Sequence, residues 1–353
     1  MVLGRTFKFS GDVRLRSTYP QRASEYTALR NPPHSSSPYH KFGNLIARLE
    51  LLDGLISFFY AFWSRDFVHR TCHKQWGTMK QYITYCKTKW QMEDAADERE
   101  KAFLGLIWML EGFMEGRQYA YVAKAYHTEH ERMSVRLKNM WQAEQEEAAK
   151  KSRPTDSIAT PPMLPSPASI ATTSSANSTP TNHSTGAPAA TKTQNESKTS
   201  RPGEDEKEKL PPPHLTVPVN ANFVYNRQSQ SAAIVNASRC MGYSQRTLTL
   251  PILAKHFPRT FARMIYTTYS VTDEHEADIE DEEGELFWPG QLATGEGIGW
   301  VCLMGKAMIK EFGKDLGYRG YEGVIPKDEA APAQEDVADP SSGPSSSTPV
   351  PFS

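Results

Sequence analysis

Cysteine is scarce in this chain of 353 residues, and its four cysteines lie far apart in the sequence. They are Cys72, Cys86, Cys240 and Cys302. This spacing gives no disulfide framework, and isolated thiols suit a reducing compartment. The opening residues, MVLGRTFKFS, lack the apolar run of a secretory signal. We therefore expect a protein of the cytoplasm or nucleus rather than a secreted one.

An excess of charge is also missing, because 40 basic and 41 acidic side chains leave a formal net charge of −1. Nothing global attracts the chain to nucleic acid or to an anionic membrane. The catalytic signatures G-x-S-x-G and H-E-x-x-H do not occur, and no cysteine has a recognisable nucleophile context. A site assembled from distant residues would leave no such signature, so an enzyme stays an alternative.

What the chain does contain is a dense apolar stretch, FGNLIARLELLDGLISFFYAFW, from Phe42 to Trp63. Its large side chains recur at steps of three and four, which is the spacing of one helix face. A membrane span is the alternative, but Arg48, Glu50 and Asp53 would each be costly in lipid. We therefore predict no membrane partner and a buried helix at the centre of a helical domain.

Residues 41–151 contain three further stripes with helical spacing. The first spans Cys72–Trp90, the second follows an acidic cluster and spans Phe103–Met114, and the third spans Val122–Trp141. Carboxylates in a first turn oppose the positive end of the helix dipole, which supports a helix start at the acidic cluster. Four stripes with short connections are typical of an antiparallel bundle.

Three segments have the composition of disordered chain. Residues 1–40 are polar and mildly basic, and we predict a disordered arm there. Residues 152–213 consist mainly of Ser, Thr, Pro, Ala and Asn, and we predict a disordered linker. Residues 328–353 are predicted to form a disordered tail. Pairs such as Thr160–Pro161 could be phosphorylated, although this composition also produces them by chance.

Residues 214–327 form a second ordered region that is mostly helical. SQSAAIVNASRCM predicts a short helix, Pro251 and Pro258 suit first turns, and WVCLMGKAMIKEFGKDLG predicts a last helix. This region either docks on the bundle, which would make one composite domain, or is tethered to it. The predicted fold class is all-α, with a helical bundle, a second helical region, and a long disordered linker and tails.

A metal site is the first chemical possibility. Cys72 and Cys86 are fourteen residues apart on one predicted helix, which is about 21 Å along the axis. Zinc–ligand bonds of about 2.0–2.3 Å exclude one ion held by both thiols. His69 and His73 could supply half a site, but the sequence shows no second half. We predict no metal, and these two histidines are the candidate ligands if one binds.

The glycine-rich segment before the last helix is the second possibility. Backbone amides of Gly295, Gly297 and Gly299 could receive a phosphate, with Lys306 nearby. The spacing departs from both the dinucleotide fingerprint and the P-loop, and Glu296 would repel an anion. A structural turn is therefore favoured, and we predict no cofactor.

An acidic run from Asp273 to Glu285 and the rings that follow it are the third possibility. The run could dock a basic partner or pair with basic residues of the chain itself. The rings of Trp288 and Trp300 suit core anchors or a peptide-binding groove. The candidate partner-binding residues are Trp288, Trp300, Asp278, Asp281 and Glu282.

We predict a non-enzymatic regulatory or scaffold protein of the eukaryotic cytoplasm or nucleus that binds other proteins. Its disordered segments would tether and be modified by phosphorylation. One alternative is an enzyme with its site between the bundle and residues 284–327. The other is a nucleic-acid-associated regulator that uses the basic N-terminal arm and Lys255–Arg263.

Overall fold

The computed structural model describes residues 1–72, 74–91, 97–152, 211–281, 283–290 and 296–327. These residues form helices joined by loops, with no strand among them, so the predicted all-α class is confirmed. The α-helices are α1 (Val2–Ser17), α2 (Pro38–Lys41), α3 (Gly43–His69), α4 (Met79–Trp90), α5 (Glu98–Lys151), α6 (Ala221–Thr247), α7 (Leu250–His256), α8 (Pro258–Ile265) and α9 (Ile298–Asp315). Short 3-10 helices span Lys74–Thr78, Val271–Glu276 and Gly320–Gly323.

The chain divides into two compact units. One comprises Met1–Thr128 and Val219–Ser353, and the other comprises Glu129–Pro218. In the second unit, His214 Nε2 lies 2.7 Å from Glu144 Oε1. Most of the predicted linker, residues 153–210, and the predicted tail, residues 328–353, lie outside the described residues. The sites discussed below belong to the first unit.

The centre of the first unit is α3, as the apolar stretch predicts. Leu49, Leu52, Leu55 and Phe59 are completely buried, and α1, α4 and α9 pack around this helix. A single hydrophobic cluster joins buried side chains of α3, α4, α5 and α9 with those of α7, α8 and the intervening loops. The second ordered region therefore contributes to the same core as the bundle.

The prediction of a disordered arm over residues 1–40 is wrong for α1. This helix packs along α3, with Phe7 and Leu15 buried. Glycine makes the close approach possible, because a Cβ atom added to Gly11 would lie 2.9 Å from the carbonyl oxygen of Ala47. The buried face of α1 includes glycine, serine and arginine beside Phe7 and Leu15, so it is not a continuous apolar stripe in the sequence.

The second difference from the sequence prediction concerns α5, which runs for 54 residues. The stripes Phe103–Met114 and Val122–Trp141, predicted as separate helices, belong to this one helix. Gly112 lies inside it and faces α6, since a Cβ atom there would lie 3.0 Å from Met241 Sδ and 3.3 Å from the Ala237 carbonyl oxygen. This glycine therefore serves helix packing rather than ending a helix.

Gly242, in the exposed part of α6, offers a test of these packing arguments. A Cβ atom there would meet nothing within 4 Å. Because alanine loses less backbone entropy than glycine in a helix, Gly242→Ala is expected to raise the free energy of unfolding by about 0.5–1 kcal/mol in urea denaturation. Gly105→Ala is the matched control and should have the opposite sign, since its Cβ would lie 2.8 Å from Leu248 Cβ. Equal effects of the two changes would contradict this assignment.

Candidate functional site

The glycine-rich turn at the start of α9 already holds an anionic group of the chain. The backbone N–H of Gly299 donates to Glu274 Oε1 at 3.4 Å, and Glu274 is buried. Burial raises the pKa of this carboxyl, and the amides of Gly297 and Gly299 oppose the shift. The carboxylate thus occupies the helix end at which a phosphate would bind. Gly295 lies outside the described residues.

The other residues of the predicted phosphate site serve packing and pairing. Lys306 Nζ lies 2.5 Å from Asp53 Oδ1 on α3. A Cβ atom added to Gly299 would lie 2.8 Å from the Trp63 ring, and one added to Gly305 would lie 2.7 Å from Ile56 Cδ1. Side chains therefore fill this part of the space between α9 and α3, where the enzyme alternative requires a pocket.

The candidate metal ligands are not brought together by the described fold. His69 is exposed at the end of α3, and His73 lies outside the described residues. Cys72 is half-buried and Cys86 is buried, and both are free thiols. Within the part of the chain that the structure describes, no group of three or more His, Cys, Asp or Glu side chains could hold a metal ion.

The candidate partner-binding residues separate into two groups. Trp300 is completely buried and stacks on Tyr269 at 5.1 Å between ring centroids, so it is a core anchor and cannot reach a partner. Trp288 is half-buried against the same core. Asp278 and Asp281 are exposed, whereas Glu282 lies outside the described residues.

The acidic run is partly held by contacts within the chain. Tyr60 Oη donates to the Ala277 carbonyl oxygen at 3.0 Å, and Lys310 Nζ lies 2.7 Å from Glu283 Oε1. Arg263 Nε donates to the Gly284 carbonyl oxygen at 2.6 Å. These contacts agree with the internal pairing that the sequence left open as an alternative to a docking site.

Several of the basic residues that a nucleic-acid-binding surface would use also form contacts within the chain. Lys255 Nζ and His256 Nε2 each lie 2.7 Å from Glu98 Oε2. From the N-terminal arm, Arg14 is buried against α3. Lys255, His256 and Arg14 thus already pair with carboxylates of the chain itself, which weakens the case for a nucleic-acid surface built on these residues.

A buried ionic network that sequence reasoning missed surrounds Glu50, which has no exposed surface. Arg14 donates to its two carboxylate oxygens from Nε at 3.1 Å and from Nη2 at 2.9 Å. Ser10 Oγ donates at 2.9 Å. Burial raises the pKa of Glu50 to about 7, and Arg14 and Ser10 oppose that shift. The i, i+4 spacing of Ser10 and Arg14 was a signal that they share one face of α1.

The same network binds the segment after α9. Arg14 Nη2 donates to the Gly323 carbonyl oxygen at 2.8 Å, and Ile325 N donates to Ser10 Oγ at 2.8 Å. Tyr318 Oη donates to Asp53 Oδ2 at 3.0 Å. Arg14 is paired with Glu50 and bonded to Gly323, so the network positions α1 relative to α3 and to this segment.

The surface of α6 has a different character, because mostly small residues line its buried side while several of its large apolar side chains are exposed. Residues that contact the rest of the unit include Ala233, Ala237 and Cys240, which are nearly completely buried. In contrast, Val224, Tyr225 and Val235 are 55%, 71% and 64% exposed. An ordinary core-facing helix has the reverse arrangement.

The helix α6 is also positively charged, since it contains arginines and no acidic residue. Arg227, Arg239 and Arg246 are exposed. Arg239 Nη2 donates to the side-chain oxygen of Asn236 at 3.1 Å, and Arg227 Nη1 donates to that of Gln230 at 3.0 Å. Among the described residues, no carboxylate forms an ion pair with any of the three arginines.

Spacing places several of these side chains on one side of α6. Val224 and Val235 are three turns apart, Arg239 follows four residues later, and Arg246 follows after another seven. We name this surface the outward face of α6 and define it as Val224, Tyr225, Val235, Arg239 and Arg246.

Comparison with protein-family models, with curated proteins and with solved structures finds no match. Across the described residues, no helix combines the length and the apolar character that a membrane span requires.

Proposed function

We propose that the chain is a non-enzymatic regulatory or scaffold protein and that it binds a partner protein through the outward face of α6. The observation that carries the proposal is that α6 buries mostly small side chains and exposes valine, tyrosine and arginine on its other side. Exposed apolar side chains in a cluster are typical of interaction surfaces. Tyrosine and arginine are also enriched at binding hot spots.

The charges of the outward face define the chemistry of the partner. Arg239 and Arg246 lie on the same side of α6 as the valines, and neither pairs with a described carboxylate. A partner that buries them would need carboxylates of its own, since a buried unpaired charge is costly. We therefore expect an acidic, amphipathic helical segment that lays an apolar stripe along α6.

Photo-crosslinking tests this proposal directly. A benzophenone amino acid placed at Val235 is expected to form discrete adducts with a partner in extract of cells that naturally express the protein. The matched control places the same group at Ile265, which is 54% exposed but lies on α8. Both positions hold an exposed aliphatic residue, so non-specific contact should label them equally.

Charge reversal extends the test to the chemistry of the partner. Arg239→Glu combined with Arg246→Glu should lower the adduct yield by at least about tenfold, because acidic partners lose their attraction and meet repulsion. Lys124→Glu, an exposed lysine of α5, serves as the charge control. The proposal would be refuted by an adduct yield at Ile265 equal to that at Val235. It would also be refuted if the Arg239→Glu, Arg246→Glu variant gave the same yield as the unaltered chain.

A further inference from the structure

A cavity of about 490 Å³ lies where α1 ends and α3 begins. The end of α1, the loop of residues 18–37 and the short helix α2 form its walls. Its volume is in the range of small-molecule sites, which is about 300–1,000 Å³. The cavity is separate from the outward face of α6, and its occupant is independent of the function proposed above.

The cavity has a fixed cation in its wall. Arg14 lines it and is only 4% exposed. Its guanidinium donates hydrogen bonds to Glu50 and to the Gly323 carbonyl oxygen. The Arg14 Cζ atom lies 4.6 Å from the centroid of the Tyr39 ring. Guanidinium has five N–H donors, and these contacts use Nε and Nη2. The Nη1 atom has no acceptor among the described residues, which leaves two donors of a rigid, nearly buried cation.

The remaining wall extends this positive character. Lys41 and His40 also line the cavity, and none of the described lining residues carries a carboxylate. Lys41 Nζ lies over the Phe42 ring at 5.0 Å and forms no ion pair with the described acidic residues. Tyr26, Tyr39 and Pro33 supply flat, apolar surface beside these cations. A few convergent polar groups on an apolar wall are typical of ligand sites.

We propose that this cavity binds a small organic anion, in which an aromatic or cyclic body carries a phosphate or similar acidic group. The anionic group is held by Arg14 Nη1 and by Lys41, whose N–H donors match its oxygens. The body lies against the tyrosine and proline side chains. Arg14 also pairs with Glu50, so the site keeps a fixed donor without an isolated charge in the empty cavity.

Titration of the full chain with phenyl phosphate, followed by NMR, tests the site. We expect one site with a dissociation constant of about 1 mM or lower, with the largest amide shifts at Gly43 and Asn44 in the cavity wall. Benzyl alcohol, which lacks the charge, should bind at least about tenfold more weakly, since it cannot use the charged donors. Inorganic phosphate should also bind more weakly, because it lacks the body.

Variants distinguish this cavity from general attraction of anions. Lys41→Gln removes a cation whose side chain is exposed, so the fold should be kept, and the affinity for phenyl phosphate should fall by about tenfold. Lys124→Gln, on α5, is the matched control and should change nothing. Ala28→Trp, which places a ring in the cavity, should abolish binding.

The proposal is overturned if phenyl phosphate fails to bind, if benzyl alcohol binds equally well, or if Lys41→Gln and Lys124→Gln have the same effect. Phosphate binding as tight as that of phenyl phosphate would overturn the assignment of an aromatic body.

Discussion

Replacing Arg14 by methionine is expected to lower the free energy of unfolding by about 3–5 kcal/mol. Methionine keeps most of the length of the side chain but removes the charge that faces Glu50. That carboxylate is completely buried and receives two of its hydrogen bonds from Arg14. Removing one partner of a buried ion pair leaves the other uncompensated, which is why the loss exceeds that of an ordinary surface change. Urea denaturation monitored by circular dichroism measures it.

The loss caused by Arg14→Met should also depend on pH. Burial already raises the pKa of Glu50 to about 7, and without Arg14 it should rise further. The native variant would then retain a proton that the unfolded chain releases. Its free energy of unfolding is therefore highest at low pH and falls as the pH rises. The difference from the unaltered chain should therefore grow as the pH increases above about 7, the value for Glu50 in that chain.

Two further variants distinguish the loss of the Arg14–Glu50 ion pair from the loss of side-chain volume. Arg16→Met is the matched control, because the side chain of Arg16 is 52% exposed and pairs with Asp12 at 3.1 Å. It should change the free energy of unfolding by less than about 0.5 kcal/mol. Arg14→Met combined with Glu50→Leu should recover most of the loss, since no charge is then left unpaired. Equal losses for Arg14→Met and Arg16→Met would show that the pair is not the cause.

How much of the fold could be predicted depends on the kind of contact that forms each helix. The stretch Phe42–Trp63 is apolar at so many positions that α3 and its burial follow from the pattern alone. The helix α1 could not be found in this way. Its contact depends on Gly11 and on the charged residue Arg14, and neither belongs to an apolar period. Single glycines and single charges acquire their meaning only when the opposite helix is known.

The outward face of α6 shows a similar limit. The sequence predicted a short helix from SQSAAIVNASRCM, and the helix spans Ala221–Thr247. Ala233, Ala237, Cys240 and Ser244 recur at steps of four, three and four, so a small-residue stripe was visible in the sequence. Which side of the helix is buried was not visible, because large apolar residues are ordinarily assumed to face the core. Gly105 and Gly112 on α5 reverse that assumption by letting α6 approach closely.

The ionic network was visible only in part. Glu50 and Asp53 stand out as charges inside an apolar helix, which indicates that basic partners must exist in the fold. Their identity could not be predicted, since Arg14 is 36 residues away and Lys306 is 253 residues away in sequence. Pairing over such distances is set by the tertiary structure.

Replacing Gly11 by valine is expected to lower the free energy of unfolding by about 3 kcal/mol, at the upper end of the range for overpacked sites. The Cβ atom would lie 2.8 Å from Leu51 Cγ and 2.9 Å from the Leu51 nitrogen and the Ala47 carbonyl oxygen. The backbone of α3 cannot move aside, since it is packed on its other sides by α4 and α9. The helix α1 must therefore shift, and the shift also strains the hydrogen bonds between Arg14 and Glu50.

Because the strain is local, the effect should be largest in α1 itself. Hydrogen exchange should show that the amides of Val2–Ser17 lose protection in Gly11→Val, while those at the centre of α3 lose less. Gly77→Val is the matched control, since a Cβ atom there would meet nothing within 4 Å. It should leave both the stability and the exchange of α1 close to those of the unaltered chain. If α1 keeps its protection in Gly11→Val, the close contact between α1 and α3 is not what orders this helix, and the account of why a polar N-terminal segment folds would fail.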